Sequence, residues 1–168
     1  MGGKGRMRMT KSEAERRAGM RARLRDWGGS NRLLREMEKQ RLRLGRGYDR
    51  ALEELSRARR RLAAAPEDAA LRAAAREATE QAEKVASSYA DAYGRLREQV
   101  AALEAASARL DAQIARLSRD EQRLLRLRYV RCLSWTAIAR IVYRSATNAR
   151  YCERVAVDKL LSMDAQKG

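Results

Sequence analysis

The stretch Ser118 to Leu161, SRDEQRLLRLRYVRCLSWTAIARIVYRSATNARYCERVAVDKLL, decides the fold. Three helix starts punctuate it. Ser118 with Glu121 three places on has the form of a capping box, Ser134 precedes Trp135-Thr136-Ala137, and Ser145 precedes Ala146-Thr147-Asn148. The spacing predicts helices near 119–130, 135–142 and 146–161 joined by very short turns. Apolar residues fall where a compact core of three helices needs them. Leu124, Leu125, Leu127, Tyr129 and Val130 come from the first helix and Trp135, Ile138, Ala139 and Val142 from the second. Ala149, Cys152, Ala156 and Leu160 come from the third, with Leu133 plugging the first turn. Two short helices linked by a three-residue turn, the second longer and cationic, make a helix-turn-helix.

With those residues turned inward, the outer face of the third helix holds Ala146, Thr147, Asn148, Arg150, Tyr151 and Arg154. An α-helix fits the major groove of duplex DNA. Its first turns reach base edges while the helix before it crosses the sugar-phosphate backbone. The expected base contacts are therefore Thr147, Asn148, Arg150 and Tyr151, with Asn148 suited to an adenine edge and Arg150 to guanine. The expected phosphate contacts are Ser134, Thr136, Arg140, Arg144 and Arg154. Tyr151 also suits stacking on a sugar. Each of these side chains alone reads equally well as a solvated polar group, and their gathering on one projected face is what points to DNA.

The run Leu124-Leu125-Arg126-Leu127-Arg128-Tyr129-Val130, then Leu133-Ser134-Trp135-Thr136-Ala137-Ile138-Ala139, then Ser145 and Ala156-Val157-Asp158-Lys159-Leu160, resembles the promoter-reading C-terminal module, region 4, of bacterial sigma factors. It resembles more closely the phage regulators of the RinA type, in which Leu-Arg-Tyr and Ser-Trp-x-x-Ile-Ala follow a helical N-terminal half. The resemblance implies activation of late phage genes together with host RNA polymerase, in the cytoplasm of a bacterial cell. Two positions depart from it. Tyr143 stands where the sigma pattern has a turn glycine, and a bulky residue at positive φ costs roughly 1–3 kcal/mol, which predicts a different turn. Ala146 stands where a charged residue usually follows the helix cap, so no preferred DNA sequence is implied.

Upstream, one line of positions at alternating steps of three and four runs Leu34, Met37, Arg41, Leu44, Tyr48, Ala51, Leu55, Ala58, Leu62, with Arg41 the one charged intruder. Pro66-Glu67-Asp68 suits the first turn of a new helix. A second line follows: Ala75, Thr79, Ala82, Ala86, Tyr89, Tyr93, Leu96, Val100, Leu103, Ser107, Leu110, Ile114, Leu117. Helices over 31–64 and 68–117 would span roughly 50 and 75 Å. Joined by a tight turn near Pro66, they predict an antiparallel coiled-coil hairpin over 31–117. Gly45, Gly47 and Gly94 inside it each weaken a helix by roughly 1 kcal/mol relative to alanine. Such stripes also suit self-association.

Residues 1–30 read as a flexible basic arm with a short helix over 13–26, which Gly28-Gly29 would end before Ser30 or Asn31 caps the next. The expected organisation is thus an arm over 1–30, a helical hairpin over 31–117 and a DNA-binding module over 118–168, all α-helical.

Composition agrees. The 168 residues carry 38 Lys+Arg against 22 Asp+Glu, a net charge of +16, with no histidine and one proline. Thirty-one alanines and 19 leucines stand beside 9 valines and isoleucines, a helix-forming balance. Residues 1–33 hold ten basic and three acidic groups and residues 118–168 eleven and five, so both ends are cationic and favour a polyanionic partner. Without histidine there is no imidazole base and no His metal ligand, and Asp120-Glu121 is explained by capping, so no enzyme, metal site or cofactor is expected. Cys132 and Cys152 read as buried free thiols. No apolar run is long enough to cross a membrane and the basic start lacks the apolar core of a signal peptide, which predicts a cytoplasmic protein. Two other readings fit the same pattern: a DNA-packaging recognition subunit of the small-terminase kind, and a structural coiled-coil protein.

Overall fold

A computed structural model describes residues 3–166, with side chains described from Ser12 onward. The described residues form five helices, two of them long, and no strand. These are α1 (Gly3–Ala63), α2 (Ala69–Ala115), α3 (Arg119–Leu125), continued by one π-helical turn (Arg126–Val130), then α4 (Trp135–Val142) and α5 (Ala146–Ala165). The chain divides into two compact units, one made of Met1–Leu33 with Glu104–Gly168 and the other of Leu34–Leu103.

In the second unit the apolar stripes do what their spacing requires. Every stripe residue from Leu34 to Leu62 except Arg41 is buried or half-buried, as is every one from Ala75 to Leu103. Arg41 lies at the surface and donates to Glu38 Oε1 at 2.7 Å. Ala51 and Leu55 pack on Ala86, with Ala82 and Tyr89 beside them. A Cβ on Gly47 would meet the Tyr89 ring at 2.5 Å, while further along Arg59 reaches Glu83 at 3.3 Å, so the two segments run back along each other. Pro66 does not open α2. It lies in the turn, and Asp68 caps the helix by accepting from the Ala70 and Leu71 amides at 2.8 and 3.2 Å.

The first unit departs from expectation at its N-terminal end. The expected arm over 1–30 is not a separate element. α1 is continuous through Gly28-Gly29, and Ser30 and Asn31 sit inside it rather than capping a new helix. Met20, Leu24 and Trp27 are buried in one core with Leu110, Ile114, Leu117, Leu125, Tyr129, Val130, Ala156, Val157 and Leu160. Gly28 is there for space. A Cβ at this position would lie 2.0 Å from the Tyr129 carbonyl oxygen, so only glycine lets α1 approach the π turn this closely. Arg32, one turn on, donates from one nitrogen to the Tyr129 and Val130 carbonyls at 2.7 and 3.1 Å, covering oxygens the helix end leaves unpaired.

Around α5 a second core gathers Leu124, Leu127, Ile138 and Ala149, with Leu133, Trp135, Ile141, Val142 and Cys152 against it. The three serine caps are present: Ser118 with a full capping box, Ser134 accepting from Ala137 N, and Ser145 accepting from Asn148 N. The first short helix is α only to Leu125, then widens, so that Arg131 N donates to Arg126 O at 2.9 Å. α5 runs four residues beyond the expected end. Both thiols are free, but neither is fully buried: Cys152 is half-buried, and Cys132, at a left-handed position (φ 54) after the π turn, is exposed.

The glycines give a sharp contrast. Gly19→Ala and Gly45→Ala meet no atom within 4 Å, and each should stabilise the protein by up to about 1 kcal/mol, whereas Gly28→Ala should cost about 2 kcal/mol or more. Urea midpoints at unchanged slope would separate the two classes.

Two carboxylates tie helices together and predict acid sensitivity. Burial pushes the Asp164 carboxyl up, but the Gln113 amide at 2.7 Å and the Arg23 guanidinium outweigh it and hold it below the ordinary range. Burial likewise pushes Glu121 up, and the Lys159 ammonium with the Ser118 backbone amide outweighs it. A carboxyl depressed in the folded state contributes stability above its unfolded pKa and loses it as pH falls through the folded value. Stability should therefore drop progressively below about pH 4, and Asp164→Asn should be less stable at neutral pH with a shallower acid limb, read by urea unfolding across pH.

Candidate nucleic-acid interface

Ala149 and Ala156 on α5 are fully buried, which turns the side chains of the opposite face outward. Thr147, Asn148, Arg150, Tyr151 and Arg154 are all exposed, and so are Ser134, Thr136, Arg140 and Arg144 before them. All nine expected contact residues thus lie open to solvent on α4, α5, the cap before α4 and the turn between the two helices. Among the described residues Thr136, Arg140, Thr147, Arg150, Tyr151 and Arg154 make no side-chain hydrogen bond, while Ser134, Arg144 and Asn148 do. Ser134 Oγ accepts from Ala137 N at 3.2 Å, so its lone pairs serve the helix first. Arg144 donates to Asn148 Oδ1 at 3.2 Å and to Cys152 Sγ at 3.1 Å. The Asn148 carboxamide oxygen has a second lone pair, and its NH2 keeps both donors for other partners. The Arg154 guanidinium lies 5.4 Å from the centre of the Tyr151 ring, an exposed cation–π pair that presents charge and a flat surface together.

Tyr143 ends α4 in the left-handed region (φ 54, ψ 44), so the turn takes the shape a glycine would give it rather than a different one. The Arg144 amide donates to Ala139 O at 3.0 Å, closing the helix end, and the Tyr143 side chain is 94% exposed. This ring gains nothing from packing to offset its backbone strain.

A second basic feature escaped the sequence reading. A cleft of about 530 Å³ is lined by Arg21, Arg25 and Arg32 of α1, Arg128 and Tyr129 of the π turn, Cys132, Trp135, and Arg150 and Glu153 of α5. Arg21, Arg25 and Arg32 fall four and seven residues apart, one face of a helix, beside the apolar Met20, Leu24 and Trp27. That signal was present but hidden, because Gly28-Gly29 looked like a helix end. Glu153 was also missed. It is 2% exposed, accepts from Arg21 Nε and Nη2 at 2.9 Å each, and receives the Tyr129 hydroxyl at 2.6 Å. Burial first and this carboxylate second push the Tyr129 hydroxyl far up, so it stays protonated and donates.

Among the described residues no group of three or more Cys, Asp or Glu is placed to hold a metal ion, and no helix is long and apolar enough to cross a membrane. No family model, curated protein or solved structure matches this chain.

Tyr143→Gly should raise the unfolding midpoint, by the equivalent of about 1 kcal/mol, because the strain is relieved and no buried contact is lost. Tyr143→Ile, branched at the same dihedral, should lower it; thermal unfolding of both variants is the check.

Proposed function

We propose that this protein is a sequence-specific, double-stranded DNA-binding transcription regulator in which α4 and α5 act as a helix-turn-helix. α5 enters the major groove with Thr147, Asn148, Arg150 and Tyr151 toward base edges. Ser134, Thr136, Arg140, Arg144 and Arg154 hold the flanking phosphates. The likeness of residues 118–161 to sigma region 4 and to RinA-type phage regulators extends the proposal to late-gene activation with host RNA polymerase, in the bacterial cytoplasm. The paired segments of α1 and α2 serve as a coiled-coil hairpin for self-association or polymerase contact. The protein works by binding and needs no cofactor.

The observation that carries this reading is the exposure of all nine residues on the helices that would have to present them, while Ala149 and Ala156 hold the other side of α5 in the core. An arginine or asparagine that makes a bidentate contact to a base discriminates by about 1–3 kcal/mol. Duplexes enriched from a random library by the purified protein should therefore share a motif. Changing Asn148, Arg150 and Arg154 together to alanine should weaken binding to them by roughly 100-fold or more with the helical circular-dichroism signal unchanged. Equal affinity of the triple variant, or enrichment without any shared sequence, would sink the reading.

A further inference from the structure

We infer that the N-terminal part of α1 is a second DNA-binding element, its cleft with α5 holding the phosphodiester backbone next to the groove that α5 reads. This rests on the proposed function above and adds to it an element that lies outside the helix-turn-helix.

The cleft gathers five arginines and one glutamate, drawn from α1, the π turn and α5. Like charges brought together in this way repel, and the single carboxylate is spent on one of them, since Arg21 is held bidentate by Glu153. A folded protein keeps such an excess where an anion completes it. The cleft is also prepared for one. Arg32 is fixed by the Tyr129 and Val130 carbonyls, and Arg128 by the Leu133 carbonyl at 2.9 Å with its guanidinium 4.7 Å from the centre of the Trp135 ring. Guanidiniums already held in place lose little freedom on meeting a phosphate, and their fork matches its oxygens. Three arginines are thus anchored, while Arg25 on the α1 wall and Arg150 on the α5 wall make no ion pair among the described residues.

Position identifies the anion. Arg150 belongs both to this cleft and to the outward face of α5, and Trp135 is the first residue of α4, the helix expected to cross the DNA backbone. An anion in the cleft is therefore continuous with a duplex lying on α5. A phosphodiester on the same strand, contacted without regard to sequence, fits both the charge and the place.

Arg25 is the residue to test, because it anchors nothing else. Binding of random-sequence duplex DNA is measured over a range of salt for the full chain, for Arg25→Gln, and for Arg61→Gln, which removes the same charge from the other unit. For Arg25→Gln the slope of log affinity against log salt should fall by about 0.9, the value of one phosphate contact, with several-fold weaker binding at physiological salt. Arg61→Gln should keep the parent slope. Asn148→Ala should do the opposite of Arg25→Gln, blunting sequence preference on library-selected duplexes while leaving the slope in place. If Arg25→Gln keeps the parent slope, or if Arg61→Gln lowers it equally, the α1 contact is wrong and the α5 reading stands. If the unaltered protein binds no duplex at all, both fall together.

Discussion

A single buried carboxylate sets the orientation of everything around it. Glu153 lies on the inner side of α5, out of water, and survives there because Arg21 and the Tyr129 hydroxyl supply three hydrogen bonds to it. Taking a charge this deep is costly unless its partners are in place, so α5 cannot rotate about its axis without breaking the arrangement. With Glu153 inward beside Ala149, Ala156, Val157 and Leu160, the remaining face of α5 has to look out. The exposure of Asn148, Arg150 and Arg154 follows from an interaction on the opposite side of the same helix.

Two outer pairs lock the same joint. Arg17 grips Asp158 with two hydrogen bonds at 2.8 and 3.1 Å, and Trp27 donates to Asp111 at 2.6 Å. Exposed ion pairs contribute little by themselves. Here the Arg17–Asp158 pair fixes the register of α1 along α5 and the Trp27–Asp111 bond that of α1 along α2, while the apolar contacts of Met20 and Leu24 supply the burial, and Gly28 sets how near α1 comes to the π turn.

Much of this was legible in the sequence, wherever local chemistry and periodicity agreed. The serine caps, the inward residues of the C-terminal helices and both long stripes could be read because each depends on neighbours three or four places away. What could not be read depends on distant partners. Gly28-Gly29 is a helix breaker by local preference, and only a carbonyl about a hundred residues further on makes Gly28 a packing residue instead. Nothing near Glu153 in sequence announces Arg21 or Tyr129. Tyr143 misled in another way. Its bulk predicted a turn of another shape, yet the backbone takes the left-handed conformation all the same, and the residue bears the cost.

The unit that presents α5 is assembled from the two ends of the chain, with residues 34–103 lying between them. During synthesis Met20, Leu24 and Trp27 leave the ribosome long before Ala156 and Leu160 exist to cover them. The intervening segments contact each other, and their pairing shortens the loop whose closure the distant pairing requires. A nascent chain halted before α5 has only the residues of α2, α3 and the π turn to set against the apolar strip of its first helix, and lacks Ala156, Val157 and Leu160. Chaperone capture and proteolysis would act on the part of that strip that the last helix covers.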